Sequence, residues 1–75
     1  MKVLITGTSS GIGYSLAEYY LDKGYEVYGV SRRVPKGLNG RGYNHCSMDL
    51  RHIENEKDRF IEFIGEIKKI ETIIL

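Results

Sequence analysis

The chain has 75 residues, enough for one small domain, and a formal net charge of +1 from eleven Lys and Arg against ten Asp and Glu. This balance argues against nucleic acid or an acidic membrane as the main partner. The single cysteine, Cys46, excludes an internal disulfide, and no apolar stretch reaches the length of a signal-peptide core or a membrane span. We therefore expect a soluble cytoplasmic protein.

The first half of the chain predicts a strand, a helix and a second strand. Lys2 to Thr6 is a short apolar run typical of a buried parallel strand. Gly11 to Lys23 predicts a helix, capped by Ser9 or Ser10 and ended by a glycine. Tyr25 to Ser31 predicts a second strand. A strand that returns in parallel after a helix forms a right-handed βαβ unit.

The pattern of apolar residues predicts which faces of these elements are buried. The apolar residues at helical period in the first helix are Ile12, Leu16, Tyr19 and Tyr20. In the second strand, Val27 and Val30 are expected to point inward. Gly29 is expected to permit a close approach, because it has no Cβ atom.

The second half of the chain predicts a loop, a strand, a helix and a strand. Pro and Gly mark residues 34–42 as a loop, and Tyr43 to Met48 predicts a third strand. Residues from about Ile53 to Lys69 predict a second helix, and Glu71 to Leu75 a fourth strand. The apolar face of that second helix comprises Phe60, Phe63, Ile64 and Ile67.

A glycine-rich turn, Thr6-Gly7-Thr8-Ser9-Ser10-Gly11-Ile12-Gly13, joins the first strand to the first helix. Its spacing is G-x-x-x-G-x-G, which differs from G-x-G-x-x-G and lacks the Gly-Lys-Ser/Thr of a Walker A loop. Glycines let the backbone approach a ligand closely, and the helix N-terminus offers unpaired N–H groups to an anion. The turn therefore predicts a phosphate cradle, although an ordinary βα turn rich in Gly and Ser would read similarly.

Thr-Gly-x-x-x-Gly-Ile-Gly after an N-terminal strand resembles the cofactor loop of classical short-chain dehydrogenases/reductases. The extended members, which include sugar-nucleotide epimerases, space their glycines differently, so the spacing favours the classical members. The resemblance implies that the three glycines admit a pyrophosphate and that Thr6 braces the turn. It assigns a nicotinamide dinucleotide to seven residues of this loop: Thr6, Gly7, Ser9, Ser10, Gly11, Ile12 and Gly13.

Ser31, Arg32 and Arg33 stand where the second strand ends, about twenty residues past the glycines, where NAD-preferring sites carry an acidic residue and NADP-preferring sites an arginine. A guanidinium can bind the 2′-phosphate through two charge-assisted hydrogen bonds, whereas a carboxylate would repel it. These residues predict a preference for NADP(H) over NAD(H). Two observations weigh against it: the position before the middle glycine, often basic in NADP-preferring relatives, is Ser10, and exposed arginines are common.

Further polar residues follow the third predicted strand and the loop before it. In the resembled family an aspartate and an apolar residue at this place contact the adenine, which assigns Asp49 and Leu50. The loop residues Lys36 and Arg41 read either as part of the anion site or, as we favour, as surface charge. His45 and Cys46 lack the second cluster that a metal site needs, so no metal ligand is predicted.

The fold class predicted is α/β, a partial Rossmann fold with a four-stranded parallel sheet in the order 3-2-1-4 and one main helix on each face. Residues 1–75 would form a single truncated NAD(P)-binding domain, with the cofactor at the carboxyl ends of strands 1 and 4. The bare apolar edge of strand 4 predicts a homo-oligomer, which a monomeric sedimentation profile at high concentration would contradict.

The family's catalytic Asn, Ser and Tyr-x-x-x-Lys segments have no counterpart here, since Tyr19 and Lys23 show that spacing only within the first helix. We therefore assign no catalytic residue and expect the 75-residue chain to be inactive. The function predicted is the cofactor-binding portion of an NADP(H)-dependent oxidoreductase that interconverts a carbonyl and an alcohol. The alternatives are a non-catalytic NADP(H)-binding or sensing module and a vestigial fragment that binds nothing.

Overall fold

A computed structural model of the chain describes residues 1–9, 11–38, 40–67 and 70–74. The elements follow the predicted order, and each boundary lies within three residues of the predicted one. They are β1 Lys2–Thr6, α1 Gly11–Asp22, β2 Glu26–Ser31, β3 Tyr43–Ser47, a 3-10 turn Leu50–His52, α2 Ile53–Glu66 and β4 Ile70–Ile74.

The four strands form one parallel sheet in the order β3-β2-β1-β4, which confirms the predicted fold class. In its register Val3 lies beside Val27, and Val27 lies beside Tyr43. Helix α1 packs on one face of the sheet and α2 on the other. The sheet is therefore covered on both sides, as expected for parallel strands that read as continuous apolar runs.

The α1 face of the sheet holds a core in which Ala17 and Leu21 are the buried residues of the helix. The predicted helix face was wrong at two positions, because Ile12 is 81% exposed and Tyr19 is 53% exposed. The helix is turned so that Ala17 and Leu21 meet the sheet and Gly13 meets the turn. A Cβ atom added at Gly13 would lie 2.0 Å from the carbonyl oxygen of Gly7, so this contact brings α1 closer than a face of large side chains would permit.

The α2 face holds a second core around Leu4, Val30 and Met48. The predicted apolar face of α2 is confirmed, since Phe60, Phe63 and Ile64 pack against this core and Ile67 is buried within it. Helix α2 ends at Glu66, earlier than predicted. The cause is local, because Ile67 leaves the helix with an extended backbone while its N–H still donates to the Ile64 carbonyl. Residues 68 and 69 lie outside the described part.

The connection from β2 to β3 is a loop with turns in its described residues, as predicted. Leu38 is fully buried in the core on the α1 face, and Pro35 is buried as well. The loop thus takes part of the place that a helix would otherwise fill on that side of the sheet.

At the other edge of the sheet, β4 pairs only with β1 among the described strands, and Ile73 on it is 56% exposed. Leu75 lies outside the described residues. Oligomer formation through this edge stays a prediction. Neither α1 nor α2 is long and apolar enough to cross a membrane, a finding that covers the described residues.

Candidate functional site

The glycine-rich turn leaves β1 with Gly7 and enters α1 at Gly11, both in the left-handed region at φ of 73° and 61°. The Gly7 N–H donates to the Val30 carbonyl at 2.7 Å, which ties the turn to the end of β2. The close approach of Gly13 to the Gly7 carbonyl fixes the start of α1 against the turn. The predicted cap at Ser10 lies outside the described residues.

A cavity of about 760 Å³ opens at the carboxyl ends of β1, β2 and β3. The described lining lies on the β2 side of β1, and the placement of the cofactor at the ends of strands 1 and 4 stays a prediction. The lining residues are Gly7, Ser9, Tyr14, Val30, Ser31, Arg32, Arg33, Val34, Pro35, Lys36, Met48, Asp49 and Arg51.

The cavity brings together about half of the residues assigned from the sequence. These are Gly7, Ser9, Ser31, Arg32, Arg33 and Asp49. Thr6 ends β1, while Gly11, Ile12 and Gly13 form the first turn of α1 beside the cavity and do not line it. Leu50 begins the 3-10 turn, and its side chain lies outside the described part of the chain.

The end of β2 presents two arginines to this cavity. The Ser31 hydroxyl is buried and donates to the Arg33 carbonyl at 2.7 Å, which closes a tight turn. Arg32 and Arg33 are exposed and line the cavity. Ser31 therefore shapes the turn that carries the arginines, and its hydroxyl is already engaged.

Two cationic residues of the loop between β2 and β3, Lys36 and Arg41, lie in different places in the structure. Lys36 lines the cavity, against the favoured interpretation as surface charge, and the Tyr14 hydroxyl of α1 donates to the Lys36 carbonyl at 2.7 Å. Arg41 instead lies in an ion pair with Asp22 and near Glu18 on the outside of α1. Only the first of these cations belongs to the candidate site.

Asp49 after β3 lies in a hydrogen-bonded ion pair with Arg51. The Asp49 carboxylate accepts from the Arg51 backbone N–H at 2.9 Å, from Nε at 3.1 Å and from a terminal guanidinium nitrogen at 2.9 Å. These bonds lower the pKa of the Asp49 carboxyl to about 2, with a smaller contribution from the nearby Arg32 charge. The sequence analysis missed Arg51, although an arginine two residues after an aspartate at a helix start is a readable signal for such a pair.

The sequence analysis also missed a hydrogen-bonded network of Thr8, Tyr43 and His45 that lies under the glycine turn. The Thr8 hydroxyl is 2.6 Å from the Tyr43 hydroxyl, which lies 2.7 Å from Nδ1 of His45. The network passes over Gly29, where an added Cβ atom would lie 2.0 Å from the Tyr43 hydroxyl oxygen. The predicted close approach at Gly29 is thus confirmed, and the glycine turn is linked to β3 across β2.

Burial shifts the pKa values of Tyr43 and His45 in this hydrogen-bonded network. It raises the pKa of the Tyr43 phenol and lowers the pKa of the His45 imidazole. Both groups are therefore neutral at pH 7. The described residues hold no cluster of three or more His, Cys, Asp or Glu able to bind a metal ion.

We predict that Tyr43→Phe lowers the free energy of unfolding by about 1–3 kcal/mol, because it leaves the buried Thr8 hydroxyl and the His45 ring without a partner. Chemical denaturation measures the change. Tyr28→Phe is the matched control, since the Tyr28 hydroxyl makes only an exposed bond to Glu26 in the described structure and its loss should cost less than about 0.5 kcal/mol. Equal effects of the two substitutions would contradict the assignment.

Comparison of the sequence with known proteins identifies the family of this chain. The sequence model of the NAD dependent epimerase/dehydratase family matches residues 3–75. The chain belongs to that family. It is 38% identical over 73 residues to a benzil reductase ((S)-benzoin forming) of Bacillus cereus, covering 89% of this chain and 29% of the relative. It is 39% identical over 66 residues to a GDP-mannose 4,6-dehydratase of Vibrio cholerae, covering 88% and 17%.

Solved structures of short-chain dehydrogenases share the fold of this chain. A short-chain dehydrogenase/reductase of Burkholderia vietnamiensis has a TM-score of 0.73 at 28% identity, over 80% of this chain and 30% of that one. A short chain dehydrogenase of Leptospira borgpetersenii with bound NAD+ has a TM-score of 0.75 at 26% identity, over 96% and 29%. The predicted resemblance to short-chain dehydrogenases/reductases is thereby confirmed.

This chain differs from its relatives in length, and the relatives differ from one another in the reactions for which they are named. The chain spans less than a third of the length of the relatives named above. Its relatives include both a reductase and dehydratases of a nucleotide sugar, so the glycine spacing alone does not separate the classical from the extended members.

Proposed function

We propose that this chain binds NADP(H), in preference to NAD(H), as the cofactor-binding portion of an oxidoreductase. The bound nicotinamide would supply the hydride that reduces a carbonyl, or accept the hydride when an alcohol is oxidised. The observation that carries the proposal is the cavity, which joins the glycine turn to Arg32 and Arg33 at one edge of the sheet. Solved structures that share this fold hold NADH or NAD+, so the preference for NADP(H) rests on this chain's own residues.

The glycine turn would hold the pyrophosphate. A helix that starts at the turn presents unpaired N–H groups and the positive end of its dipole to an anion. Gly7 lines the cavity, and no side chain from Gly7 or Gly11 stands between the backbone and the bound phosphates. The exposed Ile12 lies on the first turn of α1, where it would cover one side of the ligand.

The arginines after β2 would hold the 2′-phosphate. Arg32, Arg33, Lys36 and Arg51 line the cavity together with one carboxylate, Asp49. Such an excess of positive charge favours a dianionic phosphate over a ribose hydroxyl. Asp49 would meet the adenine amino group, sharing with it an oxygen that already accepts from Arg51, since each carboxylate oxygen can accept more than one hydrogen bond.

Titration of the chain with NADPH and NADH tests the proposal. We expect NADPH to bind more tightly, and we expect Arg32→Ala to weaken NADPH binding by about 1.5–3 kcal/mol, roughly ten- to a hundredfold, because charge-assisted hydrogen bonds to the phosphate are lost. NADH binding should change little. Isothermal calorimetry in phosphate-free buffer measures both constants.

Arg41→Ala is the matched control, because it removes the same charge from a residue that does not line the cavity. It should leave both affinities unchanged. If Arg32→Ala weakened the two nucleotides equally, the assignment of Arg32 to the 2′-phosphate would be wrong. If neither nucleotide bound to the unmodified chain, the proposed function itself would be wrong.

A further inference from the structure

Among the described residues that line the cavity, one carboxylate, Asp49, stands beside four cationic side chains, and one of these, Arg51, holds it. Arg51 reaches both oxygens of Asp49: its Nε lies 3.1 Å from Oδ1, and a terminal nitrogen lies 2.9 Å from Oδ2. The backbone N–H of the same residue donates to Oδ1 at 2.9 Å. The carboxylate is therefore fixed in orientation by three groups of a single neighbour.

This ion pair lies beside the position proposed for the 2′-phosphate. Arg32, which follows β2, is near enough to Asp49 to favour its charged form. A phosphate bound to Arg32 would face the Asp49 carboxylate across the same cavity. Two anions so placed repel each other, so an uncompensated charge on Asp49 would oppose binding of the 2′-phosphate.

We propose that Arg51 is a positioning residue that sets the cofactor preference by neutralising Asp49. This inference rests on the proposed function. Arg51 offsets the negative charge of Asp49 as seen from the 2′-phosphate and also holds the carboxylate toward the adenine. Asp49 can then serve both dinucleotides, while Arg32 distinguishes between them.

The exposure of the pair separates this role from a structural one. The Arg51 side chain is 70% exposed and that of Asp49 is 24% exposed. Exposed ion pairs contribute little to folding stability. The melting temperature of each variant is measured beside its titration. In a variant that is folded at the titration temperature, a change in nucleotide preference cannot be attributed to unfolding.

The first arm of the experiment compares Arg51→Gln with the unmodified chain by titration with NADPH and NADH. We expect the NADPH-to-NADH affinity ratio to fall about three- to tenfold, because an unpaired Asp49 charge now repels the phosphate. Arg51→Lys, which keeps the charge, should recover most of the ratio. Arg41→Gln is the control, since Arg41 pairs with Asp22 on the outside of α1 and does not line this cavity.

The second arm adds Asp49→Asn to Arg51→Gln. If Arg51 acts through Asp49, the double variant regains the ratio of the unmodified chain, even if both affinities fall through a weaker adenine contact. If the ratio stays low, Arg51 contacts the phosphate directly and the inference is wrong. It is also wrong if Arg51→Gln leaves the ratio unchanged.

A third readout needs no nucleotide. NMR titration of the Asp49 carboxyl should give a pKa of about 2 in the unmodified chain. The pKa should be higher in Arg51→Gln, because the side-chain hydrogen bonds and the charge of Arg51 are lost while the backbone N–H of residue 51 and the Arg32 charge still favour the carboxylate. An unchanged pKa would overturn the inference. Absence of nucleotide binding to the unmodified chain, with the pKa shift present, would instead overturn the proposed function and leave the ion pair established.

Discussion

Gly13→Ala is expected to lower the free energy of unfolding by about 2–3 kcal/mol and to abolish nucleotide binding. The added Cβ atom would lie 2.0 Å from the Gly7 carbonyl oxygen and 2.6 Å from its carbon. These are backbone atoms, so no side chain can rotate away, and either α1 or the turn must move. A chain of this size has only roughly 4–11 kcal/mol of stability in total, so the loss is a large share of it.

The same substitution at Gly65 provides the control for Gly13→Ala. Gly65 lies in α2 with no atom within 4 Å of an added Cβ. Alanine there should raise the free energy of unfolding by about 0.5–1 kcal/mol, because it favours the helix over the unfolded chain. Urea denaturation of both variants gives the comparison. Equal and small effects at the two positions would show that α1 can move away from the turn at little cost.

Leu38→Ala is expected to destabilise the chain by about 3 kcal/mol, because it opens a cavity where a fully buried leucine packs against the core on the α1 face. The expected result is notable for a residue in a loop. Leu38 anchors the segment that carries Lys36 and the buried Pro35. Nucleotide affinity should fall as well, since a loosened loop no longer holds its cation at the cavity.

Val34→Ala is the control in the same loop, because Val34 is 52% exposed. Its expected effect on the free energy of unfolding is within about 0.5 kcal/mol. Thermal denaturation followed by circular dichroism distinguishes the two variants. A loss at Leu38 no larger than the loss at Val34 would mean that the loop does not contribute to the core.

The contacts of the candidate site explain why these substitutions should affect both stability and binding. The turn is tied to β2 through the Gly7 N–H and to β3 through Thr8 and Tyr43. The arginine turn after β2 is closed by Ser31. Because the backbone groups that would contact phosphate belong to these same turns, a change that loosens the fold also displaces the ligand contacts.

The sequence by itself determined the elements, their order and the strand arrangement. Short apolar runs alternate with stretches of helical periodicity, which indicates strands alternating with helices. Few topologies are then possible, because crossovers are right-handed and both faces of a parallel sheet must be covered. The same local signals placed the glycine turn, Arg32 and Asp49 at the carboxyl ends of strands, since loops after parallel strands share one edge of the sheet. These signals lie within short stretches of sequence, so they can be recognised without knowing which residues are in contact.

Only the tertiary structure decided which face of α1 is buried and what the polar side chains contact. Periodicity selected Ile12 and Tyr19 for the buried face, but both are exposed, whereas Ala17 and Leu21 are buried against the sheet and Gly13 contacts the turn. The pairing of Thr8 with Tyr43 spans 35 positions, and no local pattern encodes it. Lys36 lines the cavity, whereas Arg41 forms an ion pair with Asp22. Both positions depend on how one loop folds over the sheet. Distances between residues far apart in sequence are set by packing, and packing is the property that a pattern of residue types does not contain.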